Sequence, residues 1–218
     1  MVNAPKVTVV LPVHNDRANI VESVESLRNQ ALLDFEVVCV LNGSRDGSKA
    51  IVESIAENDK RFRLASIDHA SAASARNKGL SLAKGKYVVF LDADDCFDPS
   101  FLELMSRALD THGCDMAVCA ADCFIDGNRF DTSPHIDLPR GMSEGLVDLS
   151  TERGPFLYGL GTMAWNKMYR RDFLNAEALY FQDLPHTNDA FFTLASMLIC
   201  DSACLVDKAL VHYRITEG

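Results

Sequence analysis

The amino-acid sequence predicts an α/β protein whose centre is a Rossmann-like, doubly wound, mostly parallel sheet. Three observations carry that expectation. Uninterrupted β-rich apolar runs alternate with stretches of helical period through the first half of the chain. The links between them are short, as strand–helix repeats of a parallel sheet require. The polar loops "HND", "LNGSRDGS" and "DADD" each follow a strand. In such sheets ligands sit beyond the carboxyl ends of the strands, so loops far apart in sequence are expected at one crevice.

Each element has its own reason. Val7 to Val13 is β-rich and uninterrupted, as a strand covered on both faces should be. Asn15 or Asp16 can cap the next helix, whose stripe is Ile20, Val24 and Leu27, with Val21 beside it. Phe35 to Leu41 reads as a second buried strand. "NGSRDGS" is a turn, and Asp46 or Ser48 can cap a helix carrying Ile51, Val52 and Ile55. Arg61 to Ile67 is a weaker third strand, Ser71 to Ala83 a helix rich in small residues, and Lys86 to Leu91 a fourth strand. Asp98 then suits an N-cap, with Pro99 at the first helical position and a stripe of Phe101, Met105 and Ala108. Cys114 to Ile125 reads as a strand running to a turn at Gly127. From Phe130 to Gly161 the pattern breaks down, and loops with one short helix are expected. Asn188 to Ile199 is a buried helix, and Ala203 to Ile215 looks like two short strands.

Bulk properties narrow the function. The chain has 218 residues, 48% of them hydrophobic, enough for a sizeable core. A net charge of -10 argues against a nucleic-acid binder, which needs a basic face. Seven cysteines, mostly inside apolar runs, read as buried free thiols in a reducing compartment. The spacing of Cys114, Cys119 and Cys123 matches no usual zinc knuckle. No apolar run approaches the roughly 18 residues that span a bilayer, so no transmembrane segment is expected.

Four aspartates, Asp92, Asp94, Asp95 and Asp98, crowd into seven positions after the fourth strand. Hard divalent cations take one or two carboxylates plus phosphate oxygens, so a pair spaced Asp-x-Asp at a strand end can serve a metal and a neighbouring ligand hydroxyl. A polar turn with a helix cap accounts for Asp98 and Asp95. It does not account for Asp92, placed hard against the strand where desolvation is costly. His14 in "LPVHN" offers a flat ring for stacking, and Arg76 in "SARNKG" can meet a phosphate. Asp189 opens an apolar helix, where it can serve as a cap or as a general base.

Taken together and in order, these segments resemble the family 2 glycosyltransferases of GT-A fold. "KVTVVLPVHND", "SAASARNKGLSLAKGKYVVFLDADD", "AWNKMYRRDFL", "NDAFF" and "VHYRI" carry the resemblance, which covers nearly the whole chain and is most specific from Ser71 to Asp95. It implies one GT-A domain with a smaller acceptor-side subregion, residues 1–98 forming a nucleotide-binding half and 99–218 an acceptor-binding half. It also implies inverting transfer of a sugar from a nucleoside diphosphate sugar, a UDP-sugar favoured, to a saccharide or lipid-linked acceptor. The implied cofactor is Mn²⁺ or Mg²⁺. By position, Pro12, His14 and Asn15 would line the base and ribose site, and Asn42 would face the base. Asp92 would contact ribose or donor sugar, Arg76 would lie near the donor, and Asp94 would bind the metal. Asp189 would be the catalytic base. Trp165, Asn166 and Lys167 would shape the acceptor side, Trp165 as a stacking platform. The resemblance places the protein in the cytoplasm, with peripheral association at the inner membrane face within its range.

The sequence departs from the family at three points. His14 stands where tyrosine is usual, Asn42 where the family has an acidic residue, and Asn188 where it has glutamate before the base. The losses at 42 and 188 motivate an alternative, a non-catalytic sugar-nucleotide-binding module. A phosphatase-like use of Asp92 as nucleophile is disfavoured, because three strand–helix units precede the motif.

Overall fold

The computed structural model describes residues 4–125, 128–129, 143–184 and 186–215. In chain order the elements are β1 (Val7–Val13), α1 (Ile20–Arg28), β2 (Phe35–Asn42), α2 (Ser48–Asn58), β3 (Phe62–Ile67), α3 (Ala72–Leu82), β4 (Tyr87–Phe90) and β5 (Cys96–Phe97). There follow α4 (Phe101–His112), β6 (Met116–Ile125), β7 (Asn128–Arg129), β8 (Gly145–Val147), α5 (Leu149–Gly159), β9 (Lys167–Arg170), α6 (Arg171–Ala176), α7 (Ala190–Ile199) and β10 (Ala203–Arg214).

One sheet runs β3-β2-β1-β4-β9-β6-β10-β5, with β7 paired to β6 and β8 to β10. β1 to β4 are mutually parallel, β6 and β10 are parallel to each other, and β9 runs antiparallel between β4 and β6. The chain winds outward from β1 to β3 and then returns to place β4 on the other side of β1. That reversal opens a crevice at the carboxyl ends of β1 and β4, the place where doubly wound sheets bind ligands.

Alternation along β1 shows why the sheet is covered twice. Val7, Val9, Leu11 and Val13 face one core with Ile20, Val24, Leu27 and Phe101, while Val10 faces another with Phe90, Phe156 and Phe192. α3 lies against the sheet at Gly79, where an added Cβ would come within 2.3 Å of the Val10 side chain. Six of the seven cysteines are buried free thiols and Cys123 is partly exposed.

Several expectations change. Ala203–Arg214 is one strand, not two: Asp207 and Lys208 fall where the pairing with β6 shifts register between Val206 and Ala209. Two versus one residue at such a point is a bulge, which a polar pair in an apolar run can imitate as a turn. Val21 is 51% exposed and stands off the α1 stripe. α4 begins at Phe101, so Asp98 and Pro99 precede it. The Asp98 carboxylate accepts the Ser100 N–H at 2.9 Å and forms the turn into the helix. The short helix foreseen between Phe130 and Gly161 is α5, accompanied by β8; the Gly127 turn and residues 130–142 lie outside the described residues.

Candidate active site

The first wall of the crevice is stitched from two loops. Pro12 is buried at the end of β1 opposite Val40 of β2, where its missing N–H suits a strand end. Beyond it His14 turns outward and exposed, its main-chain N–H held by the Asp16 carboxylate at 2.7 Å. The ring Nδ1 lies 2.5 Å from the Asn42 carbonyl oxygen, which can only accept, so Nδ1 carries the proton. Nε2 is then an acceptor for the Asn15 side-chain amide at 3.2 Å. Asn15 adopts a positive φ of 55°, a conformation asparagine tolerates, and its Oδ1 accepts the Arg45 N–H. The imidazole is therefore a fixed plate on the crevice wall.

Asn42 is 3% exposed, and its side-chain oxygen accepts the Ser71 N–H at 2.6 Å. Ser71 caps α3 by accepting the Ser74 N–H and donates to Asp183 at 2.5 Å. His14, Asn42, Ser71, Asp183 and Asn188 line a cavity of about 480 Å³. The cavity joins Asn42 and His14, foreseen as base contacts, to the loop before α7.

Arg76 ties the two halves of the site together. It is buried on α3, donates to Asp92 at 2.5 Å and to the Asn188 side-chain oxygen at 2.7 Å, and lies over the Phe181 ring. Burial opposes its charge, but Asp92, Asp189 and Asp94 outweigh burial and raise its pKa. The small residues of α3 give this side chain its place: Ala73 and Ala75 are buried and let the helix sit close to the sheet.

Asp94 and Asp95 occupy the turn after β4. Burial first, and the charge of Asp92 second, raise the pKa of Asp94. Asp95 is 1% exposed and the same two causes push it up to about 8, although its Oδ1 accepts the Arg214 N–H at 2.8 Å. Its Oδ2 is buried with no partner among the described residues. Arg214, at the end of β10, also donates to the Asp94 main-chain oxygen at 2.9 Å and pairs with Glu22. Asp16 is raised too, by burial and then by Asp94 and Asp46. Carboxylates thus outnumber cations here. An excess of hard oxygen donors, one of them an orphaned buried oxygen, is the chemistry that suits Mg²⁺ or Mn²⁺. No group of three His, Cys, Asp or Glu side chains among the described residues forms a complete metal cage. A cation held by carboxylates plus phosphate oxygens needs none.

Asp189 is the N-cap residue of α7 but makes no side-chain cap bond, so its carboxylate is not spent on the helix. Burial raises its pKa, Arg76 lowers it and Asp92 raises it. The three segments Asp92–Asp95, Arg76 and Asn188–Asp189 therefore meet, as the sequence reading requires.

The acceptor-side trio is placed differently. Trp165 is 4% exposed and stacks on Tyr213 with ring centroids 5.7 Å apart, so the expected open platform is a packed core ring. Asn166 is fully buried and donates to the Cys119 carbonyl at 3.0 Å. Lys167 is fully buried, its Nζ donating to the Asn166 side chain and to the carbonyls of Leu160, Gly161 and Met163. Burial pushes its pKa down to about 7. All three are buried, so none is an open platform for a ligand. Arg214, Asp183 and Ser71 were not singled out from sequence. An arginine ending an apolar strand is costly unless paired, and that was the available signal for Arg214.

Known proteins resemble this chain. Glycosyl transferase family 2 matches residues 8–176. EpsH of Bacillus subtilis, named a glycosyltransferase, is 32% identical over 97% of this chain and 61% of its own length. The succinoglycan biosynthesis protein ExoO of Rhizobium meliloti is 29% identical over 98% of this chain and 62% of its own. TarS of S. aureus, solved with UDP-GlcNAc, superposes with a TM-score of 0.83 at 26% identity, over 98% of this chain and 59% of that one. The chain thus spans about three fifths of the length of these relatives. By sequence and by fold, the chain belongs to glycosyl transferase family 2.

Proposed function

We propose that the protein transfers a sugar from a nucleoside diphosphate sugar, a UDP-sugar in the first instance, to an acceptor hydroxyl with inversion. The observation that supports this reading above the rest is the Arg76 bridge. One buried guanidinium joins Asp92, at the strand end, to Asn188, beside a carboxylate that no cap bond consumes. The resemblance to TarS with UDP-GlcNAc bound supports the choice of nucleotide.

The chain's own residues divide the work. His14 stacks under the base and Asn42 bonds its edge, with Pro12 and Asn15 fixing that wall. Asn42 offers its amide N–H, because its oxygen is already engaged by Ser71. Asp92, paired with Arg76, accepts from a sugar or ribose hydroxyl. Asp94, with Asp95 behind it, would hold Mn²⁺ or Mg²⁺. When bound, such an ion neutralises the leaving diphosphate as a Lewis acid. Asp189 takes the proton of the acceptor hydroxyl, an effect worth about 100- to 10,000-fold. Its raised pKa makes it a stronger base than an exposed aspartate. Trp165, Asn166 and Lys167 shape the acceptor side from behind. A saccharide or lipid-linked acceptor fits this chemistry, in a cytoplasmic protein that visits the inner membrane face. No helix among the described residues is long and apolar enough to cross a membrane.

The test is a thermal shift with uridine, guanosine, cytidine and thymidine diphosphate sugars, with and without Mn²⁺. Metal-dependent stabilisation by one class, followed by turnover with mixed saccharide acceptors, is the expected result. Binding without turnover across acceptors would instead favour the non-catalytic module. No stabilisation by any donor would overturn both.

A further inference from the structure

The strand ends opposite the crevice carry a second feature. There, where β1, β2 and β3 begin and β4 and α6 approach, a cavity of about 670 Å³ is lined by Lys60, Arg61, Arg63, Lys84 and Arg171. Five cations around one hollow are unexpected in a chain of net charge -10.

Most of such a charged face is ordinarily neutralised by local pairs. Here two cations are. Arg63 pairs with Glu36 at 2.5 Å, and Glu36 is further occupied by Thr8 and by the Lys84 N–H. Arg61 forms two bonds to Asp59 and lies over the Phe35 ring. Lys60, Lys84 and Arg171 enter no ion pair among the described residues, and Asp34 is the one further carboxylate on the lining. Arg171 donates one Nη to the Ala83 carbonyl at 2.8 Å. The Arg171 guanidinium is thereby fixed beside the hollow, in a planar geometry that suits a phosphate.

We propose that this hollow is an anion-binding site for a phosphate group, separate from the sugar-nucleotide crevice. Lys60 and Lys84 supply exposed charge at its mouth and Arg171 supplies a fixed donor at its base. The rigid Arg61–Asp59 and Arg63–Glu36 pairs hold its walls. The phosphate comes either from a soluble phosphate compound or from the headgroup of an anionic lipid, and the chemistry of recognition is the same.

The experiment uses the full chain in EDTA, so that metal-dependent binding at the crevice is silent. Inorganic pyrophosphate is titrated by calorimetry, and sedimentation is measured with phosphatidylcholine vesicles with and without phosphatidylglycerol. Wild type is compared with Lys60→Glu/Lys84→Glu, two exposed positions whose change leaves the core intact, and with Asp94→Asn. Pyrophosphate binding at least tenfold weaker in the double variant and unchanged in Asp94→Asn supports a soluble ligand. Binding to phosphatidylglycerol vesicles alone, lost in the double variant, supports a lipid headgroup. Pyrophosphate and vesicle binding that are both absent, or both indifferent to the double substitution, would overturn the proposal. Neither outcome bears on the glycosyltransferase reading, which the donor thermal shift tests separately.

Discussion

Arg76 shows how one side chain can carry a site. A lysine at its place could reach Asp92 or Asn188 but has no planar fork to hold both. Arg76→Met strands the Asp92 carboxylate beside Asp94. We expect a loss of about 2 kcal/mol in urea unfolding, below the roughly 3–5 of a fully buried pair because water still reaches Asp92. Asp189 gives the second expectation at this scale. Asp189→Asn should leave donor binding intact and slow transfer by about 100- to 10,000-fold. The base works only when deprotonated and its pKa is raised, so activity should fall as pH drops through a midpoint above the ordinary aspartate value of about 3.9. Arg76→Met removes the cation that lowers Asp189 and should move that acid limb further up. A limb that stays put in the variant would mean that Asp189 is not the titrating base. Asp92, Asp94 and Asp189 were legible in sequence because a carboxylate against an apolar run needs a reason. Arg76 was singled out too, as a residue near the donor, but its pairing was not legible: only the fold brings Asp92 and Asn188, the latter 112 positions away, onto it.

At the scale of elements, the strand–helix alternation from Val7 to Phe90 was legible because β1, β2 and β4 are buried along their whole length, while β3, at the sheet edge and only partly buried, gave the weaker signal. α3 was legible as a small-residue helix, and the structure supplies the reason in Gly79. Gly79→Ala would push a Cβ into buried, β-branched Val10, so we expect about 1–3 kcal/mol of destabilisation by urea unfolding. Because Arg76 rides on the same helix, donor affinity should fall with it. Trp165, Asn166 and Lys167 were misread for a physical reason. Polar residues beside tryptophan suggest an exposed patch, but Tyr213, from a strand 48 residues on, covers the ring, and four oxygens absorb the ammonium. Lys167→Met tests that burial. It removes those bonds and should cost about 1–3 kcal/mol at neutral pH. The pH dependence has a definite sign. The folded pKa of about 7 lies below the unfolded value near 10.4, so between them the unfolded chain binds more protons and stability rises with pH. That rise, at most about 1.4 kcal/mol per pH unit, should vanish from the difference curve of the variant. A difference curve flat in wild type would mean that the four oxygens hold the lysine charged throughout.

Across the whole molecule, charge is divided by the sheet. The end where the strands begin carries Lys60, Lys84 and Arg171 without ion-pair partners among the described residues, while the end where they finish gathers Asp16, Asp92, Asp94, Asp95 and Asp189 around Arg76 and Arg214. Net charge alone, read from sequence, argued against a nucleic-acid binder but could not reveal this asymmetry, because it depends on which loops the topology collects. The acidic end poses a problem for the proposed donor, since a diphosphate would approach a like-charged crevice. Without a cation the carboxylates should repel it, and with one they should bind it. Asp94→Asn separates the two regimes. In Mn²⁺ the variant should bind UDP much more weakly than wild type, having lost a metal ligand. In EDTA the order should reverse. Removing one unit charge roughly 6 Å from the phosphates in a water-like dielectric is worth on the order of threefold. Calorimetry of both proteins in both buffers reads the crossing directly. UDP bound equally well by wild type in EDTA and in Mn²⁺ would show that the aspartates serve the sugar or the fold and not a metal, and Asp94 would lose its proposed role.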